Sequence, residues 1–402
     1  MTDSGFDAVD VLVAGGGPVG WACALAARQS LGKRARVAVV EREPLPAVAL
    51  VAGMPLSARV YTIATGNLRW LGEQGVSVDF DRCAAVTDIV VSGRDGQRSL
   101  RIGGDDCGEA QLATVLEHEA LTHSIATRAQ QLGVQLVSGV GSSLHDVDGQ
   151  KLLELADGRM LQAKLVIAAD GAHSRLRALA GIAGTVRAYL QHGAVAHLAC
   201  GKPHRGIARQ WFLPDGSILA LLPLPDIEGG SAVSMVWSVS AERANALCSM
   251  PESSLLDAIN GASDGGASAL KLVSAARQFP LSLVRVADPV ARRLLVVGDA
   301  AHAVHPLAGQ GVNLGLADAR ALADAWQQKD QVGGDPGHAL LLARYRRQRF
   351  APTLAMQLAT DGLFRLYNHA DHPLLMAAGD AGMRLLGRLP AFRRTLSTAA
   401  LQ

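Results

Sequence analysis

The chain has 402 residues, 49% of them hydrophobic and 18% charged, with 38 basic side chains against 36 acidic and a formal net charge of +2. A chain this apolar and this close to neutral is excluded from the disordered class and gives no electrostatic argument for nucleic acid. Its length suits two linked domains better than one.

The N-terminal residues are acidic and lack a signal-peptide apolar core, and no apolar run is long enough to predict a transmembrane helix. A cytoplasmic protein is expected, in soluble form or peripheral at the inner face of a membrane. Val9 to Ala14 reads as a short strand, Gly15-Gly16-Gly17-Pro18-Val19-Gly20 as a turn, Trp21 to Gln29 as a helix, and Val37 to Val40 as a second strand closed by Glu41. That is a dinucleotide-binding fingerprint in its required setting. Gly15 permits the tight turn, Gly17 lets backbone approach a pyrophosphate, and Gly20 allows close helix packing. Glu41 stands where a carboxylate binds adenosine ribose hydroxyls. The fingerprint does not separate FAD from NAD.

An irregular stretch follows from Arg42, and Ser57 to Leu71 reads as a helix carrying Arg59. Arg59 meets either a pyrophosphate and flavin edge or solvent. Thr87 to Val91 and Ser99 to Ile102 alternate like hairpin strands. Gln111 to Gln131 reads as one long helix, and Val134 to Ser138 and Lys151 to Leu155 as strands. Lys164 to Ala169 is a buried strand that runs into Asp170-Gly171-Ala172-His173-Ser174-Arg175-Leu176-Arg177. By chemistry alone this is either a ligand-facing loop or an Asp-Gly turn with Ser174 capping a helix.

Ala188 to Leu198, Ile207 to Leu213, Ser217 to Leu224 and Ser231 to Ser240 read as an antiparallel sheet distinct from the nucleotide domain. Within it, Leu221-Leu222-Pro223-Leu224-Pro225 forms either plain core or the wall of an apolar pocket. Glu242 to Ser249 and Ser253 to Asn260 are helical, and Phe279 to Val286 is a returning strand. Arg293 to Val297 is another buried strand, and Gly298-Asp299-Ala300-Ala301-His302 then leads through Gly309, Gln310, Gly311, Val312 and Asn313 into a helix from Leu316 to Gln328. A glycine-rich helix start exposes free N–H groups and the positive end of the helix dipole, which suits a ligand that gains negative charge, such as a reduced flavin. Leu340 to Tyr367 is helical with Pro352 marking a break or kink, and Leu374 to Leu389 is a further helix. Their arginine-rich faces meet solvent, a partner or an anionic membrane surface. The five cysteines are scattered with no C-x-x-C pair, so neither a metal site nor a redox dithiol is expected.

Taken together, these motifs carry a resemblance. Gly298-Asp299-Ala300-Ala301-His302 with Pro306 resembles the second flavin motif of the single-component flavin-dependent aromatic hydroxylases, and Asp170-Gly171 with Ser174 and Arg177 resembles their middle motif. His305-Pro306-Leu307-Ala308-Gly309-Gln310-Gly311-Val312-Asn313-Leu314-Gly315 with Asp318 narrows the likeness to the ubiquinone-biosynthesis hydroxylase family. Tyr189, Gln191, Leu221-Leu222-Pro223-Leu224 and Thr360-Asp361-Gly362-Leu363 extend it along the chain. Departures are Ala113-Thr114 in place of Gly-Tyr, Arg209-Gln210-Trp211-Phe212 in place of an acid-arginine pair before Phe, and an atypical C-terminal ending.

The resemblance implies an α/β fold: a Rossmann-like, glutathione-reductase-type FAD-binding domain (1–75, 103–185 and 281–330), an antiparallel substrate domain (76–102 and 186–280) and a C-terminal helical region (331–402). It implies non-covalent FAD, reduction by NADH or NADPH, and O2-dependent hydroxylation of a lipophilic, polyprenylated phenol or quinol, with contacts to a biosynthetic complex and membrane surface. A hydroxylase of another aromatic compound and a flavin-holding scaffold subunit are the alternatives. The cofactor set it implies is Gly15, Gly17, Pro18, Gly20, Glu41, Arg42, Arg59, Asp170, Gly298, Asp299, Pro306, Gly309, Gln310, Gly311, Val312 and Asn313. His305 and Pro306 would lie at the flavin face, with Trp211, Leu222 and Pro223 in the substrate pocket.

Overall fold

The computed structural model describes residues 7–43, 45, 56–93, 98–227, 230–304, 311–368, 394 and 401. The chain opens with β1 (Asp7–Ala14), α1 (Pro18–Leu31) and β2 (Val37–Glu41). Pro18 sits in the first turn of α1, where a missing N–H costs nothing. Then come β3 (Val60–Ala64), α2 (Thr65–Glu73), β4 (Ala84–Val86), β5 (Asp88–Ser92), β6 (Arg98–Gly103), β7 (Ala113–Glu117) and α3 (His118–Gln131). The first half closes with β8 (Gln135–Ser138), β9 (Gly141–Val147), β10 (Gln150–Leu155), β11 (Met160–Ala168) and α4 (Arg175–Leu179). The second half starts with four long strands, β12 (Gly184–Cys200), β13 (Ile207–Phe212), β14 (Ile218–Ile227) and β15 (Gly230–Ser240). It continues with α5 (Ala241–Ser249), α6 (Glu252–Ala262), β16 (Ala269–Leu272), β17 (Arg277–Val286), β18 (Val290–Ala291), β19 (Leu294–Val296), α7 (Asp299–His302), α8 (Gly311–Trp326) and α9 (Ala339–Asn368).

Three sheets result. The nucleotide sheet runs β18-β19-β11-β1-β2-β8, with β10 and β9 added beside β11. Its central pairs are parallel, and Val11, Leu12, Val13, Leu165 and Val166 on them are wholly buried. Both faces are buried, Val11 and Val13 packing into one apolar cluster and Leu12 and Ala14 into another, so these strands read as continuous apolar runs. The substrate sheet runs β16-β12-β15-β14-β13-β5-β6, with β17 also on β12. It is antiparallel apart from the β13–β5 pair. The hairpin β5–β6 thus leaves the nucleotide half to extend the substrate sheet. A small third sheet, β3-β7-β4, packs against β14 of the substrate sheet and, through β3, against α8.

Two expected helices are corrected by this third sheet. Ser57 to Leu71 is not one helix, because Val60-Tyr61-Thr62-Ile63 forms β3. Nor is Gln111 to Gln131, because Thr114-Val115-Leu116 lies in β7. Val60 pairs with Glu117 and Ala64 with Ala113. Both segments are rich in β-branched and aromatic side chains, and their long-range pairing overrides the helical pattern of their neighbours. The C-terminal helix α9 is continuous through Pro352 rather than broken there. Its Leu341, Leu342 and Tyr345 join the core built by Trp21, Ile125 and Trp326. The expected helix over Leu374 to Leu389 lies outside the described residues.

Close backbone packing explains Gly20. A Cβ on it would lie 1.9 Å from the Gly15 carbonyl oxygen, whereas one on Gly72 in α2 would meet nothing within 4 Å. Gly20→Ala is therefore expected to destabilise by about 1–3 kcal/mol, and Gly72→Ala to stabilise by roughly 0.5–1 kcal/mol. Thermal melts of the two variants, side by side, check the opposite signs.

Candidate active site

β1 ends where the chain must turn sharply. Gly15 has φ +109°, and a Cβ there would fall 2.3 Å from the Ala169 carbonyl oxygen, so no side chain is tolerated. α1 starts behind Gly17 with no side-chain cap, which leaves its first N–H groups free to meet a ligand. A Cβ on Gly17 would meet no protein atom within 4 Å, because that space belongs to the central cavity. The Gly16 N–H donates to Glu41, and the second Glu41 oxygen accepts the Arg42 N–H at 2.7 Å. The Glu41 carboxylate is thereby fixed beside the glycine turn, while the Arg42 side chain is exposed.

The second glycine loop converges on the same place. Val19, in the first turn of α1, fills the notch left by two glycines. Its methyl groups lie 3.1 Å from a Cβ built on Gly298 and 2.3 Å from one built on Gly315. Without side chains at those two positions, α8 and α1 approach closely and aim both N-termini into one cavity. Asp299 is exposed at its edge and is the one carboxylate among the described lining residues. Gly311 and Val312 also line the cavity, but Asn313 does not. The buried Asn313 amide donates to Thr62 O at 2.8 Å and accepts the Ala64 N–H at 2.9 Å, so it ties α8 to β3. His305, Pro306, Gly309 and Gln310 lie outside the described residues.

Beneath the loop lies Asp318, a carboxylate with no exposed surface. It accepts from His302 Nε2 at 2.6 Å, Arg349 Nε at 2.7 Å and the Gly298 N–H at 2.9 Å. Burial alone would raise its pKa; the positive groups of His302 and Arg349 and these hydrogen bonds overcome that and hold it well below the usual carboxylate range. The Asp170 carboxylate is also spent within the protein, on the Ser174 hydroxyl and the Leu176 N–H. Ser174 caps α4 by accepting the Arg177 N–H at 3.0 Å, and the Arg177 guanidinium donates to the carbonyls of Ala300 and Ala172. The middle motif thus acts as a clip between loops, with Gly171, Ala172 and His173 presented to the cavity.

A third group joins Arg59, singled out in the sequence, to Tyr61 and His118, which were not. The Arg59 guanidinium lies 5.2 Å from the Tyr61 ring centroid, and the Tyr61 hydroxyl is 3.1 Å from His118 Nδ1. All three line the cavity. Burial pushes Tyr61 up to about 12, with Arg59 opposing and Asp299 and Glu119 adding to it. Burial, and then the charge of Arg59, lowers His118. The turn bearing Arg59 is held by Glu117, which accepts the Ser57 N–H and both Arg82 Nε and Nη2, and by His197, which reaches the Ser57 carbonyl at 2.7 Å. Reading β3 as a helix hid this cluster, since only the alternation of a strand puts Arg59 and Tyr61 on one face.

The cavity has a volume of about 580 Å³. Its far wall is the substrate sheet, from which Val195, Ala220, Leu222 and Val236 face inward. Leu222, a pocket candidate from the sequence, is among these lining residues. Trp211 and Pro223 are not among the lining residues. Trp211 packs into the core behind the sheet with Leu219 and Leu221, and Pro223 follows the same alternation on β14. A one-residue step along a strand reverses the face, and that step separates Trp211 from Gln210, which does line the cavity.

An open cradle at Gly17, the uncapped start of α1, a second helix start at Gly311 on the same cavity and a fixed carboxylate on the first turn fit FAD. The FAD-binding-domain family profile matches residues 8–357. The ubiquinone hydroxylase UbiL of Rhodospirillum rubrum is 32% identical, over 94% of this chain and 86% of that protein. The mitochondrial ubiquinone biosynthesis monooxygenase COQ6 of Rattus norvegicus is also 32% identical, over 93% and 87%. The chain belongs to the ubiquinone-biosynthesis FAD-dependent hydroxylase family. Its fold is shared with Pseudomonas aeruginosa PqsL, described as a probable FAD-dependent monooxygenase (TM-score 0.75, 22% identity, covering 94% of this chain and all of that one). It is shared too with Klebsiella pneumoniae HpxO complexed with FAD and uric acid (TM-score 0.72, 16% identity, covering 98% of this chain and 97% of that one). Like its family, the protein is an FAD-dependent monooxygenase.

Two outcomes are expected of this hydroxylase. Gly17→Val fills the cradle, so the purified variant should carry little flavin absorbance while keeping the far-ultraviolet spectrum of the parent. Asp318→Asn should cost about 3–5 kcal/mol at neutral pH, because His302 and Arg349 lose their buried counter-charge. The Asp318 pKa is depressed in the folded state, so its contribution is complete above the unfolded value near ~3.9 and is lost as pH falls toward the folded one. Urea midpoints of parent and variant should differ by a constant amount from neutral pH down to about 5 and converge below about 4.

Proposed function

We propose that the enzyme hydroxylates the aromatic ring of a polyprenylated phenol in ubiquinone biosynthesis, using NADH or NADPH, O2 and non-covalently bound FAD. The observation that carries this reading is the continuity of the cavity with an apolar seam. Val86, Ile89, Ala208, Leu222 and Val236 line the cavity and also belong to the apolar cluster between the three-stranded sheet and the substrate sheet. A long hydrocarbon tail would follow that seam while the ring stays near the glycine loops. Each buried methylene contributes about 0.8 kcal/mol, so even a partly enclosed tail dominates binding. The ubiquinone names of the relatives point to the same substrate class.

Bound FAD supplies electron acceptance from the nicotinamide and oxygen activation; the chain supplies position, charge and dryness. Gly17 and the α1 N-terminus would hold the pyrophosphate, Glu41 the adenosine ribose, and Asp299 the ribitol side. The start of α8 at Gly311 and Val312 would face the flavin ring and favour its reduced, negatively charged form.

Peripheral contact with an anionic bilayer belongs to the same proposal. Phe350, Leu354 and Leu358 are exposed along one side of α9, and Arg346 and Arg347 are exposed on the same helix. No helix among the described residues is long and apolar enough to cross a membrane. Binding to vesicles containing an anionic lipid, lost in Phe350→Glu, tests the contact. Retention of the parent's full binding would reject it and leave the face to a protein partner.

A prenylated phenol is expected to stimulate NAD(P)H oxidation and to gain one hydroxyl, with the tail-less phenol at least tenfold poorer in kcat/KM. A deletion strain should lack ubiquinone and accumulate an under-hydroxylated prenyl intermediate. Normal ubiquinone in that strain, with no second hydroxylase present, would remove the pathway assignment.

A further inference from the structure

Gln210 is a neutral polar side chain in a mostly apolar wall. It lies on β13, and the register across the substrate sheet runs Gln210 to Ala220, Ala220 to Val236 and Val236 to Val195. All four line the cavity, so they form one transverse row facing the glycine loops, and Gln210 is its only polar member. The residue as a whole is 9% exposed, and no protein hydrogen bond to its amide is found among the described residues, so the carboxamide is left to the cavity that it lines. A polar group held at the wall of an apolar cavity without a protein partner is available to a ligand. Its neighbour Trp211 points into the opposite core, so the strand alternation fixes the direction of Gln210 as well.

We propose that Gln210 is the specificity-determining residue that recognises the oxygen substituent of the substrate ring. This rests on the reading of the cavity as a phenol hydroxylase site. A carboxamide is neutral and offers both a carbonyl acceptor and N–H donors. It can therefore accept from a ring hydroxyl and donate to the same oxygen or a neighbouring one. The ligand class is a phenol, held between the flavin loops and the sheet with Gln210 on its ring oxygen.

The test uses the FAD-loaded enzyme and follows the perturbation of flavin absorbance on titration with four probes: 2-geranylphenol, geranylbenzene, 2-methylphenol and toluene. The parent enzyme should bind each phenol about tenfold more tightly than its hydrocarbon partner. In Gln210→Met, close in shape and apolar, that preference should fall to within about twofold, with FAD affinity unchanged. The thermal midpoint of Gln210→Met without phenol should stay at the parent's, because the amide has no protein partner to lose; a purely structural glutamine would give a lower one. Gln210→Glu keeps an acceptor and should keep the hydroxyl preference. Full hydroxyl preference in Gln210→Met, or none in the parent, overturns the assignment. If geranyl and tail-less probes bind alike while the hydroxyl preference still depends on Gln210, the prenyl reading fails and the role of Gln210 stands.

Discussion

Asp318 is charged and wholly enclosed, a combination that survives only when every oxygen lone pair is met. The donors that meet it come from three places in the chain: the Gly298 N–H between β19 and α7, His302 at the end of α7, and Arg349 in α9. Arg349 also donates to the Leu314 carbonyl at 3.0 Å, so α8 is gripped on both its side chain and its backbone. The direction of the α8 N-terminus, and with it the position of Asp299 and Gly311, depends on this carboxylate. The same logic recurs across the cavity, where buried Glu117 joins Arg82 to the Ser57 backbone and so sets Arg59. The surfaces offered to FAD and substrate are thus fixed from behind by ionised groups that the ligands do not touch.

The cavity divides between two kinds of wall. Toward the nucleotide sheet it is made of backbone N–H groups, glycine and one carboxylate; toward the substrate sheet it is mostly apolar, with Arg209, Gln210 and Ser282 among the lining residues. Oxygen chemistry on a flavin needs both, because the reduced cofactor must be held by fixed dipoles while water is kept from the reacting atoms. The Arg59, Tyr61 and His118 cluster stands at the meeting of the two.

The nucleotide half was legible because its signals are local. Strand, glycine turn, helix and terminal acid all fall between Val9 and Glu41, and the structure places them as the spacing predicts. The alternation of the substrate sheet was equally plain. What remained hidden depended on pairing between distant segments. β3 and β7 are strands only because they meet each other, and misreading them concealed Tyr61 and His118. Trp211 and Gln210 show a second limit: adjacent residues on a strand part to opposite faces, and composition alone favoured the larger apolar one for the pocket. The Asp170 motif was open between ligand contact and turn; its carboxylate bonds within its own loop.

Val19 has a consequence for how the protein is made. The first glycine turn emerges early in synthesis, yet its helix is shaped to dock against Gly298 and Gly315. Likewise β1 has its parallel neighbour β11 far along the chain, and β11 must await β19. Contacts of such sequence separation form slowly and only once both partners exist. A nascent N-terminal half would carry a complete fingerprint and still have only one wall of the flavin site. The substrate sheet, whose strands follow one another from β12 to β15, can assemble in the interval. Cofactor capture is then a late step, available only to a chain whose last helices have been translated.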